Sequence, residues 1–231
     1  MALGTELSYF QFLELPENAR SLDNFTRHMT AKDVKNKAWF SVVDLASIFG
    51  PTEQLSPDQV LMVDIGGNVG HDILAFERAH SNFPGKLVLQ DLPQVLEKLE
   101  RPTSSKLRIM PHDFFLPQPV IAAKVYYMHH VLHDWPDDKC RLVLSNIVPA
   151  LERDYSKILI HDAIIPSQGA GWQVTGSDLC MLALACAAER TEAQWRLLLG
   201  DVGLKLVKIW DCDGSPEKII EAELDDEPDE I

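Results

Sequence analysis

A histidine followed at once by an acid, His133-Asp134, stands in the run Met128-His129-His130-Val131-Leu132-His133-Asp134-Trp135-Pro136-Asp137-Asp138. Imidazole titrates near neutral pH, so His133 suits a general base. A base needs a partner that fixes its tautomer and stabilises its imidazolium, and carboxylates do this. Two later acids offer it: Asp162, closing the apolar run Ile158-Leu159-Ile160-His161, and Glu189 in Ala187-Ala188-Glu189-Arg190-Thr191-Glu192. Blander roles stay open. His133 could be a buried histidine bonded to backbone, and Glu189 could pair with Arg190 or Arg196. Asp134 or Asp137 could cap the helix that follows, with Pro136 in its first turn. No metal is expected, because neighbours on an extended strand point to opposite faces and His129 and His130 would not share an ion.

A second constellation is the turn Val63-Asp64-Ile65-Gly66-Gly67-Asn68-Val69-Gly70-His71. Asp91 follows, roughly 20 residues past the turn, at the end of the apolar run Leu87-Val88-Leu89. Glycines let a backbone turn sharply and approach a ligand, and the second acid can accept hydrogen bonds from ribose hydroxyls. The glycines do not read G-x-G-x-x-G and no P-loop lysine follows, so a pyrophosphate is disfavoured. Asp64 would repel phosphate but suits a cationic or amino group. S-adenosylmethionine has a sulfonium, an amino group, a ribose and no phosphate. Asn68 is acceptable at a glycine position, since Asn visits left-handed backbone readily.

Both constellations need strand ends to hold them. Strands are expected at 60–65, 86–90, 107–110, 124–128, 157–162, 204–210 and 217–223, and helices near 70–80, 93–99, 137–152, 177–187 and 191–202. Such alternation implies an α/β fold, a parallel sheet covered on both faces. Ligands of such sheets sit at the carboxyl ends of the strands, where both motifs fall. The link Asp211-Cys212-Asp213-Gly214-Ser215-Pro216 is too short for a crossover, so the last strand must be antiparallel. Thr191 can cap the helix after it. Residues 1–55 are read as a helical segment, with Phe10, Leu13, Leu15, Ala19, Arg20, Phe25 and Met29 in an amphipathic pattern. The catalytic unit spans 56–224 and an acidic tail 225–231.

The chain has 231 residues, enough for one α/β domain and a small appendage, and is 46% hydrophobic, enough for a full core. A net charge of -14 argues against a nucleic-acid partner. The acidic tail is expected to be solvated. No apolar run reaches the length of a membrane span. Cys140, Cys180, Cys186 and Cys212 lack CxxC spacing and no signal peptide is evident, so they read as buried free thiols of a cytoplasmic protein.

The motifs D-I-G-G-N-V-G-H, Q-D-L-P, P-H-D-F-F, H-H-V-L-H-D-W-P-D-D, I-H-D-A-I-I-P and A-E-R-T-x-x-Q-W occur in order over roughly residues 60–224. In these the chain resembles class I S-adenosylmethionine-dependent O-methyltransferases of the plant caffeate and fungal natural-product type. The pairing of H-D-W-P-D-D with E-R-T is the specific part; the glycine turn is less so. The resemblance implies a Rossmann-like seven-stranded sheet with an antiparallel last strand. It implies that Gly66, Gly67 and Gly70 cradle the methionine part of S-adenosylmethionine, with Asp64 beside them. It implies Asp91 with Leu92 on the ribose, Asp113 and Phe114 at the adenine, and His129 in the cofactor set. It implies His133 as base, flanked by Asp162 and Glu189.

The pattern departs from the family at several places. His129 stands where a lysine or arginine is common, Asp162 where Glu is usual, and Cys186-Ala187-Ala188 where glycines are common. The family's N-terminal winged-helix dimerisation domain is expected to be missing. The acceptor site would then be more open and suit a bulky or carrier-bound small molecule. The chain would be a monomer, or a weak dimer through Phe10–Met29. Met128, Trp172, Met181 and Trp195 are candidate walls of the acceptor site, although apolar residues at helical spacing are core by default. The expected activity is methyl transfer to a hydroxyl of a polyketide, alkaloid or phenolic. Two other readings are an enzyme that keeps the cofactor pocket for another reaction, and a non-catalytic subunit supporting a partner.

Overall fold

The structure, a computed structural model, describes residues 5, 7, 9–13, 15–24, 27, 38–51, 56–97, 99, 104–212 and 214–226. Phe25 and Met29 lie outside the described residues. The N-terminal part contains helix α1 (Tyr9–Leu13), helical turns over 16–24 and helix α2 (Leu45–Phe49). Asp44 caps α2, its carboxylate accepting from Ala46 N.

From residue 60 strands and helices alternate: β1 (Val60–Ile65), α3 (His71–Ala79), β2 (Lys86–Asp91), α4 (Pro93–Leu96), β3 (Leu107–Pro111) and β4 (Val125–His129). Then follow α5 (Asp137–Ile147), β5 (Lys157–Ile165), α6 (Trp172–Ala185), β6 (Arg190–Thr191), α7 (Glu192–Gly200), β7 (Leu204–Asp211) and β8 (Glu217–Leu224). The sheet runs β3-β2-β1-β4-β5-β8-β7, which makes the seven expected strands. β1 to β5 pair in parallel, and β8 is antiparallel to both β5 and β7. The short hairpin link fixed that polarity. One strand was not foreseen: β6 pairs with β5, Ile164 opposite Arg190 and Ile165 opposite Thr191. Two residues carry no periodicity to read.

Strand β4 shows why the sheet is covered twice. Tyr126 and Met128 point into a core against α5 and α7, and Val125 and Tyr127 into the opposite core against α3 and the N-terminal part. Trp39, Ile48 and Phe49 belong to that second core, and the Trp39 ring stacks on Phe76 at 5.3 Å and Tyr127 at 5.0 Å. Met128 and Trp195 are fully buried core residues, whereas Trp172 is 80% exposed. The first two are therefore not pocket walls.

Several boundaries move. α5 stops at Ile147 and continues as a 3-10 turn over Val148–Ala150, because Pro149 cannot supply the next helical N–H. α6 begins at Trp172, five residues before the expected 177, because its first turn, with Gln173, Thr175 and Gly176, shows no helical apolar stripe to read. Asp162 does not close its strand; β5 runs on to Ile165. The cysteines are all free, but only Cys140 is buried; Cys180 and Cys186 are exposed on and after α6. Asp226 is tied to Arg153 at 2.9 Å and Lys205 at 2.5 Å, so the acidic tail begins anchored rather than free. No helix among the described residues is long and apolar enough to cross a membrane.

Candidate functional site

At the end of β1 the chain turns through Gly66 and Gly70, both left-handed at φ 68° and 79°, with Asn68 left-handed at 52° between them. A Cβ on Gly66 would lie 2.9 Å from a Val131 methyl and 3.7 Å from the Phe114 ring. A Cβ on Gly67 would lie 2.5 Å from Asp64 Cγ and 2.6 Å from a Leu89 methyl. Asp64 is thus packed under the turn, 1% exposed, and its Oδ2 has no hydrogen-bond partner among the described residues. Burial, reinforced by the charges of Asp72 and Asp91, holds its carboxyl well above the usual carboxylate range.

Asp91 ends β2 beside the same turn. Its Oδ2 accepts from Asn68 N at 2.8 Å and its Oδ1 from Leu92 N at 2.7 Å. Burial raises its pKa although both N–H groups pull it down. Each oxygen keeps a lone pair for a diol. One strand over, β3 pairs Pro111 with Asp91, which brings Asp113 and Phe114 to the same rim. Asp113 Oδ1 accepts from Phe115 N at 2.9 Å, a side-chain turn that presents Phe114 toward Gly66. His129 closes this side: its Nδ1 lies 2.7 Å from Asp72 Oδ2, on the first turn of α3. Turn, Asp91, Asp113, Phe114 and His129 therefore share one rim.

His133 sits in a 3-10 turn, Leu132–Asp134, just beyond β4. Its Nδ1 is 3.2 Å from Glu189 Oε1, and its Nε2 is 3.6 Å from Asp134 Oδ1. A carboxylate only accepts, so in the neutral imidazole the nearer contact, to Glu189, favours the proton on Nδ1 and the lone pair on Nε2. Burial alone would lower the His133 pKa; the Glu189 hydrogen bond and the charges of Asp162 and Asp134 outweigh it, and the net shift is upward. Burial pushes the Asp134 carboxyl up to about 6, the His133 charge opposing and Asp162 adding to it. Glu189 is held in turn by the Ser177 hydroxyl, which donates to Oε1 at 2.6 Å, and by Asp178, which accepts from Glu189 N at 3.0 Å.

Asp162 is fully buried, with His130 Nδ1 3.7 Å from its Oδ1. Burial would raise its pKa, but His130 and His133 prevail and lower it. The argument that set His129 and His130 on opposite faces fails here. His130 lies past the end of β4 with φ 54°, which swings its ring onto His129 at 4.2 Å. The rings of His161, His129, His130 and His133 form a continuous stack at 4.0, 4.2 and 4.9 Å.

The blander roles also resolve. Arg190 does not pair with Glu189: its Nε donates to Asp137 at 2.9 Å, and Arg196 pairs with Glu192 at 2.7 Å. Arg190 instead donates to Leu132 O at 3.0 Å and Trp135 O at 2.8 Å, pinning both ends of the turn that carries His133. Asp137 is the first helical residue of α5 and Pro136 its N-cap, so neither Asp137 nor Asp134 caps it. Thr191 does cap α7, in a reciprocal box with Gln194. Sequence reading missed Arg190, Ser177, Asp178, Asp72 and Glu217 as parts of the site. An arginine next to Glu189 in an otherwise apolar stretch was the one signal for them.

Residues 42–205 match the O-methyltransferase domain family. Demethylsterigmatocystin 6-O-methyltransferase of Aspergillus flavus is 35% identical over 221 residues, 96% of this chain and 55% of that protein. A solved structure of a LepI complex with SAM superposes with a TM-score of 0.87 at 32% identity, over 96% of this chain and 56% of that one. Another, described as a pericyclic reaction enzyme, gives a TM-score of 0.86 at 33% identity with the same coverage of 96% and 56%. The chain spans about half the length of these relatives. By sequence and fold together, it belongs to the O-methyltransferase domain family.

Proposed function

We propose that the chain transfers a methyl group from S-adenosylmethionine to a hydroxyl of a small secondary metabolite, with His133 as general base. The observation that carries this is the contact of His133 Nδ1 with Glu189 Oε1 at 3.2 Å, which leaves Nε2 as the proton acceptor on the rim that bears the glycine turn. The residues fit the cofactor. Space that a Cβ would fill at Gly66 and Gly67 admits close approach, Asp91 has lone pairs for ribose, and Asp64 buries an orphaned oxygen near the turn. Gly66, Gly67 and Gly70 with Asp64 would hold the methionine part, Asp91 with Leu92 the ribose, Asp113 and Phe114 the adenine, and His129 the rim between. When bound, S-adenosylmethionine supplies an electrophilic methyl on a sulfonium.

His133 Nε2 would take the proton of the acceptor hydroxyl as that oxygen displaced sulfur from the methyl carbon, the bonding pair leaving with sulfur as a neutral thioether. The imidazolium that results is stabilised by Glu189 and Asp134, while Asp162 stands behind it. Placement supplies most of the acceleration in such a transfer. The exposed Leu179 and Leu182 of α6 suit a bulky or carrier-bound small molecule as acceptor. The chain acts in the cytoplasm, in line with its free thiols. Calorimetry tests the cofactor: S-adenosylhomocysteine should bind in the low micromolar range and NAD should not. Tight NAD binding with no response to S-adenosylhomocysteine would end this reading. A second reading, a cofactor pocket serving a reaction other than methylation, is favoured by the likeness to the pericyclic reaction enzyme. It predicts product formation with no methyl gained when the protein is given acceptor and S-adenosylhomocysteine.

A further inference from the structure

We infer that His130, His133 and Asp162 form a site for one divalent transition-metal ion of the zinc class, and that its occupant silences the base. All three side chains are buried, and one ligand atom from each lies within 4.8 Å of the others. His130 Nε2 is 3.2 Å from Glu217 Oε1 and His133 Nδ1 is 3.2 Å from Glu189 Oε1. Each imidazole thus has a carboxylate behind one nitrogen, which leaves the lone pair on the other. That is the arrangement which orients histidine ligands of metals and raises their basicity.

The turned nitrogen of His130, Nδ1, faces Asp162 Oδ1 at 3.7 Å. Asp162 is 0% exposed and neither of its oxygens accepts a hydrogen bond among the described residues. An imidazole nitrogen and a carboxylate oxygen therefore face each other in a buried place at more than hydrogen-bond length, and a divalent cation can take the place of the proton between them. Ligands about 2.0–2.1 Å from a tetrahedral ion lie roughly 3.3 Å from one another. The 3.7 Å separation needs only a few tenths of an ångström of closure, and His133, within 4.8 Å, must swing inward to join it. Two imidazoles and one carboxylate select zinc, cobalt(II) or their neighbours over magnesium or calcium, and leave a fourth position open. The left-handed backbone of His130, at φ 54°, is what brings its ring into the cluster.

The site stands on geometry alone; only the silencing rests on His133 being the base, since a metal on its Nε2 occupies the lone pair that would take the proton. The test uses purified full chain, titrated with Co²⁺ and followed by its visible absorption, with Zn²⁺ displacement as competitor. One equivalent should bind with the spectrum of a low-coordinate nitrogen and oxygen site, and Zn²⁺ should expel it. Asp162→Asn and His130→Asn should each weaken binding at least tenfold, the latter keeping a residue that accepts the left-handed backbone. S-adenosylhomocysteine binding of both variants verifies that they fold. Failure of Co²⁺ and Zn²⁺ to bind overturns the inference. So does binding that both variants retain, or a cobalt–thiolate band lost in Cys180→Ser or Cys186→Ser. Metal binding without loss of methyl transfer leaves the site standing and sinks His133 as the base.

Discussion

The two sides of the proposed site, one for the cofactor and one for the acceptor, are built by different means. The cofactor side is backbone: left-handed glycines, two N–H groups on Asp91, and a carboxylate sealed beneath Gly67. The acceptor side is side chains: an imidazole, three carboxylates and a guanidinium, flanked by α6, whose Leu179 and Leu182 are 66% and 61% exposed. Backbone geometry tolerates almost no change in shape, and a side-chain cluster tolerates shape changes but few changes in charge. Substitutions should therefore separate cofactor binding from turnover.

The largest break is His133→Ala, which should lower turnover by roughly 10²–10⁴-fold and leave S-adenosylhomocysteine affinity nearly unchanged, as steady-state kinetics and calorimetry would read. An unchanged rate would show that the acceptor arrives ionised. Next is Arg190→Met. It strips donors from Leu132 O and Trp135 O, each costing about 1–3 kcal/mol when buried and unsatisfied, so thermal denaturation should show a clear loss of Tm. Gly67→Ala comes third, on the other side. With Asp64 and Leu89 inside contact distance it should destabilise by about 1–3 kcal/mol and weaken the cofactor more than it lowers turnover.

A pH profile sharpens the contrast further. The His133 pKa is raised on balance, so the neutral form that the proposed function needs appears at higher pH than for an ordinary imidazole, and activity should rise with pH through that raised value. Protonated His133 stabilises the fold below the unfolded pKa, and that stabilisation is lost across the same rise. Glu189→Gln removes the charge that holds the proton, so the rising limb of kcat/KM should move to lower pH. A limb that stays put would show that Glu189 does not act on the imidazole. The smallest effect is Leu182→Ser on α6: exposed as it is, stability should stay within about 0.5 kcal/mol while acceptor KM rises.

How much of this was legible in the sequence differs by side as well. The glycine turn, Asp91 and the parallel strands were readable because backbone demands leave residue types behind: glycine, alternation, a short hairpin link. The contact of His133 with Glu189 was readable as a chemical need, an imidazole wanting a carboxylate. What escaped depends on long-range pairing that no local pattern records. Glu217 reaches His130 from β8, and Asp72 reaches His129 from the first turn of α3, positions that by spacing alone read as strand and helix surface. His130 escaped because the strand period was extended one residue too far. α6 was expected from 177, and only its first turn escaped, because the run Gln173-Val174-Thr175-Gly176 has no apolar period to detect.

Glu189 and Arg190 are consecutive, and their side chains go to the imidazole and to the carbonyls of the loop that bears it. One peptide unit therefore sets both where the base stands and which way it looks. Between Pro166 and Ala188 only Ser177 and Asp178 hydrogen-bond Glu189 among the described residues. On the proposed function, the exposed positions of that stretch, Leu179 and Leu182 among them, are open to change without moving His133. A lineage could in this way exchange one acceptor for another while inheriting the same chemistry.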